Sequence, residues 1–265
     1  MNILDVRDLG IRTADGRTLV DGLSLTIAPG ERLGLIGESG SGKSLTTLAV
    51  LGLLPDGMTA TGGVELAGTQ IVGASEKQLR GVRGRDAAIV FQEPLTALDP
   101  LMRVGRQIAE PLSRRRGLRG AELKRAVVDA LEQVRLPEPD RIARAFPHEI
   151  SGGQRQRVAL AMALACDPKL LIADEPTTAL DVTVQSDMLD LLDTLVRERD
   201  MAVLFVSHDL AVVSKVTDRV VVMKDGRVVE EGDVRTIVRE PREEYTKALV
   251  ASARQLESAL DLRNA

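Results

Sequence analysis

The stretch "GESGSGKS" at residues 37–44 combines three glycines with a lysine and a serine at the spacing of a phosphate-binding loop. It follows a short apolar run and precedes a stretch of helical composition. Glycines let the backbone fold closely around phosphate oxygens, and the amides at the start of the next helix attract the same anion. The segment therefore predicts a nucleoside triphosphate site. The residues expected to bind the nucleotide are Gly37, Ser39, Gly40, Ser41, Gly42, Lys43, Ser44 and Leu45.

Polar residues follow three further apolar runs, each of which is typical of a buried strand. Asp174 and Glu175 end the run "LLIADE". His208 follows "AVLFVS", and Gln92 follows "DAAIVF". Because ligands of open α/β sheets bind beyond the carboxyl ends of the strands, we expect these side chains to converge. Ser44, Gln92 and Asp174 would hold Mg²⁺, while Glu175, His208 and Gln92 would orient and activate the attacking water.

A second glycine-containing loop occurs more than a hundred residues after the first, in "ISGGQRQRV" at residues 150–158. Ser151 is a good N-cap for the helix that its flanking composition predicts. Together with Gly152 and Gly153 it would form another anion-binding helix start. The chain therefore carries two loops suited to phosphate, and a single nucleotide site does not account for both.

The elements that must position these residues alternate between strands and helices at both ends of the chain. This alternation predicts an α/β fold with a mainly parallel sheet. A helical block at about 101–167 separates the two ends, and the helix after Lys43 is expected to stop at Pro55. Asp225-Gly226 predicts a tight hairpin between two strands, and the tail from about 233 reads as two helices.

The composition is that of a globular protein with an aliphatic core, because aromatic residues make up only 2% of the chain. A net charge of -4 does not favour nucleic acid, whose binding proteins are typically basic. The basic run Arg114–Arg116 is interpreted as a solvated surface turn or helix face, and the alternative is contact with an acidic partner or lipid head groups. Cys166 is the only cysteine, which suits a reducing compartment and makes an iron–sulfur cluster unexpected. No apolar run approaches the ~20 residues that span a bilayer.

The motifs "GESGSGKS", "FQEP", "SGGQRQR", "LLIADEPTTALD" and "SHD" resemble, in order and spacing, those of the ATP-binding cassette ATPases of ABC transporters. The resemblance covers roughly residues 3–250. It implies a P-loop NTPase fold with a RecA-like core, a mainly parallel sheet, an antiparallel β-subdomain and an inserted α-helical subdomain. The ATPase domain would span residues 1–250, with the helical subdomain at about 95–165 and a short helical tail at 236–265.

The resemblance also explains the two loops, because cassettes of that family pair head to tail. Ser151, Gly152, Gly153 and Gln154 would act on the ATP held by a partner cassette, and Asp181 in "TALD" would contact the partner. The implied partners are a second cassette, identical or related, two transmembrane permeases and an extracytoplasmic solute-binding protein, with no nucleic acid. The implied location is the cytoplasmic face of the inner membrane, as a peripheral subunit.

Further segments resemble the oligopeptide, dipeptide and nickel importer subfamily, notably "FQEPLTALDPLM", "HDLAVV" and the tail "PREEYTKALVAS". In the tail, Glu243 and Glu244 stand where that subfamily usually has His-Pro. A peptide and a nickel or metal-chelate cargo both remain open. The alternative function is an ABC ATPase that powers export or a process on DNA or ribosomes.

One feature departs from the family, since no aromatic residue precedes Phe91. Cassettes usually stack an aromatic side chain on the adenine, and such contacts contribute about 0.5–1.5 kcal/mol. We expect Ile11 or Arg12, near the corresponding position, to cover the ring instead; the alternative is that no side chain stacks on the adenine.

Overall fold

The computed structural model describes residues 1–91, 97–176 and 182–264, with the side chains of all of these except 182, 183 and 256–264. The chain divides into two compact units. The first unit combines Met1–Val82 with Ala202–Ala265, and the second is Arg83–Met201.

The first unit contains eight of the described strands and five of the described helices. The strands are β1 (Leu4–Thr13), β2 (Thr18–Ile27), β3 (Arg32–Ile36), β4 (Met58–Leu66), β5 (Thr69–Gln70), β8 (Ala202–Ser207), β9 (Arg219–Lys224) and β10 (Arg227–Asp233). The helices are α1 (Lys43–Val50), α2 (Glu76–Val82), α8 (Leu210–Val216), α9 (Val234–Arg239) and α10 (Glu244–Asn264).

The strands of the first unit form two pairing patterns. β2, β1, β4 and β5 lie side by side in an antiparallel sheet. β3 pairs in parallel with β8 on one side and β9 on the other, and β10 returns antiparallel beside β9. The Asp225-Gly226 hairpin is therefore confirmed, since Lys224 pairs with Arg227 across the turn.

The core of the first unit is mainly aliphatic, with Phe205 of β8 fully buried in it, and it packs closely around β3. Every residue of β8 is buried, as a parallel strand covered on both faces requires. A Cβ atom added at Gly34 on β3 would overlap Val213 Cγ1 of α8 and lie 3.1 Å from Thr217 Oγ1. Helix α8 therefore lies directly against the backbone of the strand that leads into the first glycine loop.

Helix α1 is shorter than its composition predicts, so the expected stop at Pro55 is wrong. It ends at Val50, and Gly52 adopts a left-handed φ of 63°. The Gly52 amide donates to the Ala49 carbonyl at 3.0 Å, and the Leu53 amide donates to the Leu48 carbonyl at 2.8 Å. These bonds satisfy the last carbonyls of the helix, so the glycine terminates it before the proline can.

The second unit contains the helical block and two strands. Its strands are β6 (Ala87–Val90) and β7 (Leu170–Asp174), which pair in parallel. Its helices are α3 (Val104–Arg116), α4 (Gly120–Gln133), α5 (Pro139–Arg144), α6 (Gly152–Leu164) and α7 (Val182–Glu198). Asp86 fixes the start of the strand pair, because its carbonyl accepts the Lys169 and Leu170 amides at 3.0 Å and its buried carboxylate pairs with Lys169 Nζ at 3.0 Å.

The basic run and the cysteine lie where the sequence indicates. Arg114 and Arg116 are exposed and pair within the second unit, Arg116 with Asp167 at 3.5 Å. Cys166 is half-buried, and burial raises the pKa of its thiol. None of the described helices has the length and apolar character needed to cross a membrane.

We predict that Gly34→Ala destabilises the protein, because the new methyl group would overlap Val213. The free energy of unfolding should fall by about 1–3 kcal/mol, as overpacking commonly costs, measured by urea denaturation. The control is Gly81→Ala in α2, where an added Cβ has no neighbour within 4 Å. That change should be neutral or raise stability by up to about 1 kcal/mol, and equal stability of the two variants would contradict the close packing.

Candidate functional site

The phosphate loop, defined here as residues 37–44, connects β3 to the first turn of α1. Its glycines carry positive φ angles of 158° at Gly37, 84° at Gly40 and 100° at Gly42, which few other residues adopt. A Cβ atom at Gly37 would overlap the Met223 carbonyl oxygen of β9, whereas one at Gly40 would meet nothing within 4 Å. The loop is therefore packed against β9 at its start and leaves open space at Gly40.

Lys43 folds back over the phosphate loop. Its side chain is 4% exposed, and Nζ donates to the Gly37 carbonyl at 2.7 Å and to the Glu38 carbonyl at 2.9 Å. A buried ammonium group needs such partners, because charge transferred out of water is costly unless it is compensated. The lysine is therefore held within the loop that it was predicted to complete.

The remaining groups of the phosphate loop fit a polyphosphate ligand. Ser41 Oγ is buried and has no hydrogen-bond partner among the described residues. An unsatisfied buried hydroxyl costs about 1–3 kcal/mol, and a phosphate oxygen is an acceptor that would satisfy it. Ser39 and Ser44 are exposed, and Leu45 is half-buried.

His208 lies at the same sheet edge as the phosphate loop. β3 and β8 are parallel neighbours in which Ile36 pairs with Ser207. Gly37 and His208 are the next residues along the two strands, so both leave the sheet at its carboxyl edge. The His208 side chain is exposed. The expected placement of this histidine beside the loop is therefore observed within the first unit.

Asp174 and Glu175 lie in the second unit, at the carboxyl end of β7. Asp174 is buried, and Glu175 is half-buried with a left-handed φ of 48°. Such a φ costs a non-glycine residue of order 1–3 kcal/mol, and this kind of strain concentrates at functional sites. Gln92, which follows the parallel neighbour β6, lies outside the described residues, and so does Asp181. Among the described residues, no three His, Cys, Asp or Glu side chains are grouped to hold a metal.

The signature loop, defined here as Ser151–Gln154, begins α6 and forms a capping box. Ser151 Oγ accepts the Gln154 amide at 3.2 Å, and the Ser151 amide donates to Gln154 Oε1 at 3.0 Å. This reciprocal pair satisfies two helix-terminal donors, so Ser151 is confirmed as the N-cap. Ser151 and Gly152 are exposed, so the start of α6 is accessible to solvent.

Two residues that support the site were not singled out from the sequence. Arg155 donates from Nη1 to the carbonyls of Pro147 and Ile150 at 3.2 and 3.1 Å, which holds the segment before the signature loop. Gln156 is 1% exposed, and its Nε2 donates to the carbonyl of Pro176, the residue after Glu175. Helix α6 is thus hydrogen-bonded to the segment that follows the carboxylates at the end of β7. A glutamine on the otherwise apolar buried face of α6 is the signal that would have indicated it.

The expectation that Ile11 covers the adenine is wrong. Ile11 is fully buried in the antiparallel sheet, where it pairs with Val20 on β2 and Ala60 on β4. Its side chain therefore packs in the core. Arg12 points to the opposite face, as alternation along a strand requires, and is exposed. The arginine alternative stays a prediction.

Comparison with known proteins identifies the family. The sequence profile of the ABC transporter family matches residues 20–178, more than half of the chain. The oligopeptide transport ATP-binding protein OppD of Bacillus subtilis (strain 168) is 45% identical over 262 residues, which cover 97% of this chain and 73% of that protein. A putative peptide import ATP-binding protein of Brucella ovis is 44% identical over 273 residues, covering 98% and 80% of the two chains.

A solved structure shows the same fold at 30% sequence identity. It is the dimeric post-hydrolysis state of the ATP-binding cassette MJ0796 bound to ADP and Pi, with a TM-score of 0.77 over 88% of this chain and 99% of that one. The expected P-loop ABC ATPase fold is thus confirmed. The chain belongs to the ABC transporter family, as one of its ATP-binding, ATP-hydrolysing cassettes.

Proposed function

We propose that this cassette hydrolyses ATP to drive the import of peptides through partner permeases. The cargo is inferred from the relatives described above, which are named for oligopeptide transport and peptide import. Those names favour a peptide over the nickel or metal chelate that the sequence left open.

The observation that carries the proposal is the presence of two phosphate-suited loops on one chain. The phosphate loop holds a buried lysine and a buried unpartnered serine hydroxyl, whereas the signature loop presents an exposed capped helix start. A loop that acts on a nucleotide bound to a second copy or a related cassette explains why the chain carries both. The dimeric structure of MJ0796 supports this pairing.

The proposed partners are therefore a second cassette, two transmembrane permeases and an extracytoplasmic solute-binding protein. The cassette would act as a peripheral subunit at the cytoplasmic face of the membrane. We propose that the segment around residues 95–145, which follows Gln92, transmits closure and opening of the cassette pair to the permeases. Site closure that excludes water would make hydrolysis depend on pairing.

Binding of ATP requires Lys43 to change partners. Its Nζ now donates to the Gly37 and Glu38 carbonyls. Phosphate oxygens carry more negative charge and form stronger, charge-assisted hydrogen bonds with an ammonium group. We propose that Lys43 turns to the β- and γ-phosphates while loop amides bind the same oxygens. Ser44, Gln92 and Asp174 would hold Mg²⁺, which would neutralise phosphate charge when bound.

Glu175 and His208 are proposed to orient and activate the attacking water. The Glu175 carboxylate accepts a proton or a hydrogen bond from water, and His208 can hydrogen-bond both the water and the γ-phosphate. Positioned groups of this kind each contribute roughly 10²–10³ in rate at comparable sites. Asp181 is proposed to contact the partner cassette.

The partner's Ser151 is suited to complete the site. Its oxygen accepts the Gln154 amide, so the hydroxyl hydrogen can be donated to a γ-phosphate oxygen without breaking the cap. Amides at the start of α6 point the same way as the helix dipole and favour an anion. The cap and the proposed phosphate contact are therefore compatible.

Glu175→Gln is expected to reduce ATP hydrolysis by about 10²–10³, because the amide cannot accept a proton from water. ATP binding should be retained and the closed cassette pair should accumulate. Phosphate release at saturating ATP and titration calorimetry would measure both. Glu198→Gln, at the exposed end of α7, is the matched control and should behave as the wild type. Turnover at the wild-type rate in Glu175→Gln would contradict this role.

Gln156→Met is expected to lower turnover at saturating ATP by about tenfold to a hundredfold, since small displacements of catalytic groups have effects of that size. The methionine keeps the volume but removes the donor to the Pro176 carbonyl. The free energy of unfolding should change little, because the lost donor to the Pro176 carbonyl is offset by removal of the buried Gln156 Oε1, which has no partner among the described residues. The control Gln255→Met changes an exposed glutamine of α10. Loss of turnover in both variants would argue against a specific role of the hydrogen bond between Gln156 and the Pro176 carbonyl.

Transport can be tested by purifying the cassette with its partners and measuring ATP-dependent uptake in membrane vesicles. We expect two hydrophobic permeases to co-purify and a labelled peptide to accumulate, whereas nickel should not. Accumulation of nickel in place of peptide would overturn the cargo. Export, or co-purification of ribosomes or DNA in place of permeases, would overturn the import function.

A further inference from the structure

Tyr245, near the start of α10, contacts the phosphate loop from far along the chain. Its hydroxyl oxygen accepts a hydrogen bond from the Glu38 amide at 2.8 Å, across a sequence separation of 207 residues. The ring of Tyr245 also lies under Lys224, whose Nζ is 5.1 Å from the ring centroid. Partial burial raises the pKa of the phenol, so the hydroxyl stays neutral at physiological pH. The C-terminal helix therefore reaches the nucleotide-binding loop directly.

The backbone of Glu38 is hydrogen-bonded at both its amide and its carbonyl. Its amide donates to Tyr245, and its carbonyl accepts from Lys43 Nζ at 2.9 Å and from the Ser41 amide at 3.2 Å. When Lys43 turns to phosphate, the carbonyls of Gly37 and Glu38 lose that donor. The bond to Tyr245 does not involve the lysine, so it can persist through the exchange.

Helix α10, which carries Tyr245, is fixed by hydrogen bonds before its first turn and by apolar packing. Glu230 on β10 accepts the Arg242 amide at 2.9 Å and the Glu243 amide at 3.1 Å, just before α10 begins. Partial burial opposes ionisation of Glu230, but the hydrogen bonds that it accepts outweigh this and lower its pKa. Val250 is 3% exposed, so α10 is also anchored by apolar packing.

The turn between β9 and β10 supports the other half of the phosphate loop. The Gly226 amide donates to the Ser41 carbonyl at 3.2 Å, and the Gly226 carbonyl accepts the Asp21 amide at 2.9 Å. The phosphate loop is thus held at Ser41 by the hairpin and at Glu38 by the C-terminal helix.

We propose that Tyr245 is a positioning residue for ATP binding. Its hydroxyl fixes the first half of the phosphate loop, so that the loop keeps its shape while Lys43 exchanges backbone carbonyls for phosphate oxygens. This inference rests on the proposed ATP site. It assigns the C-terminal helix a role in nucleotide affinity and none in the chemical step.

Tyr245→Phe tests the proposal, because it removes the acceptor and keeps the ring under Lys224. We expect the Kd and KM for ATP to rise about 3- to 10-fold, the loss that one hydrogen bond commonly causes. The kcat at saturating ATP should be unchanged. In the nucleotide-free protein, amide hydrogen exchange of the peptide that contains Glu38 should become faster. The control is Lys247→Gln on the same helix, where the lysine pairs with Glu244 at 2.5 Å, and it should change none of these quantities.

Two results would overturn the proposal. One is an unchanged Kd together with unchanged exchange at Glu38 in folded Tyr245→Phe; the other is a loss of kcat with an unchanged KM. If Tyr245→Phe does not fold, amide hydrogen exchange of the wild-type protein tests the contact. A Glu38 amide that exchanges as fast as an unprotected loop amide would exclude the hydrogen bond to Tyr245. Wild-type protein that bound no ATP would refute the proposed function instead, and Glu38 exchange would still test the contact.

Discussion

The ion-to-carbonyl bonds of Lys43 are the interaction on which the rest of the nucleotide-binding arrangement depends. A buried ammonium group tolerates its position only because the Gly37 and Glu38 carbonyls face it. In the same loop the backbone turns through left-handed angles at Gly40 and Gly42. The loop can turn there because β3 ends against the tightly packed α8 and β9. The position of the Lys43 ammonium group thus depends on the backbone geometry of the loop.

The two glycine-containing loops are both suited to a phosphate anion, but by different groups. The phosphate loop places a side-chain cation inside the turn, whereas the signature loop offers a capped helix start at which Ser151 and Gly152 are exposed. The first arrangement holds its cation within one chain, and the proposed role of the second is to act on a nucleotide bound by another cassette. Under the proposed pairing, each cassette would hold one nucleotide and contribute its signature loop to the nucleotide of the other.

Local patterns predicted the elements that carry the chemistry. β3, β7 and β8 are short apolar runs followed by glycine or polar residues, and a buried parallel strand has no other signature. The adenine-covering residue could not be chosen in the same way. Leu4 and Val6 place even-numbered residues inward, but an irregularity at Asp8, with φ at 50°, reverses the phase so that Leu9 and Ile11 face the core. Contacts such as Gln156 with Pro176 and Tyr245 with Glu38 join distant segments, so no local pattern contains them.

The placement of Tyr245 has a spectroscopic consequence. The chain has no tryptophan and one tyrosine, and the phenol of that tyrosine is hydrogen-bonded to the backbone of the phosphate loop. The tyrosine emission of the unlabelled protein therefore arises beside its phosphate loop. That loop can thus be observed by intrinsic fluorescence without an added dye.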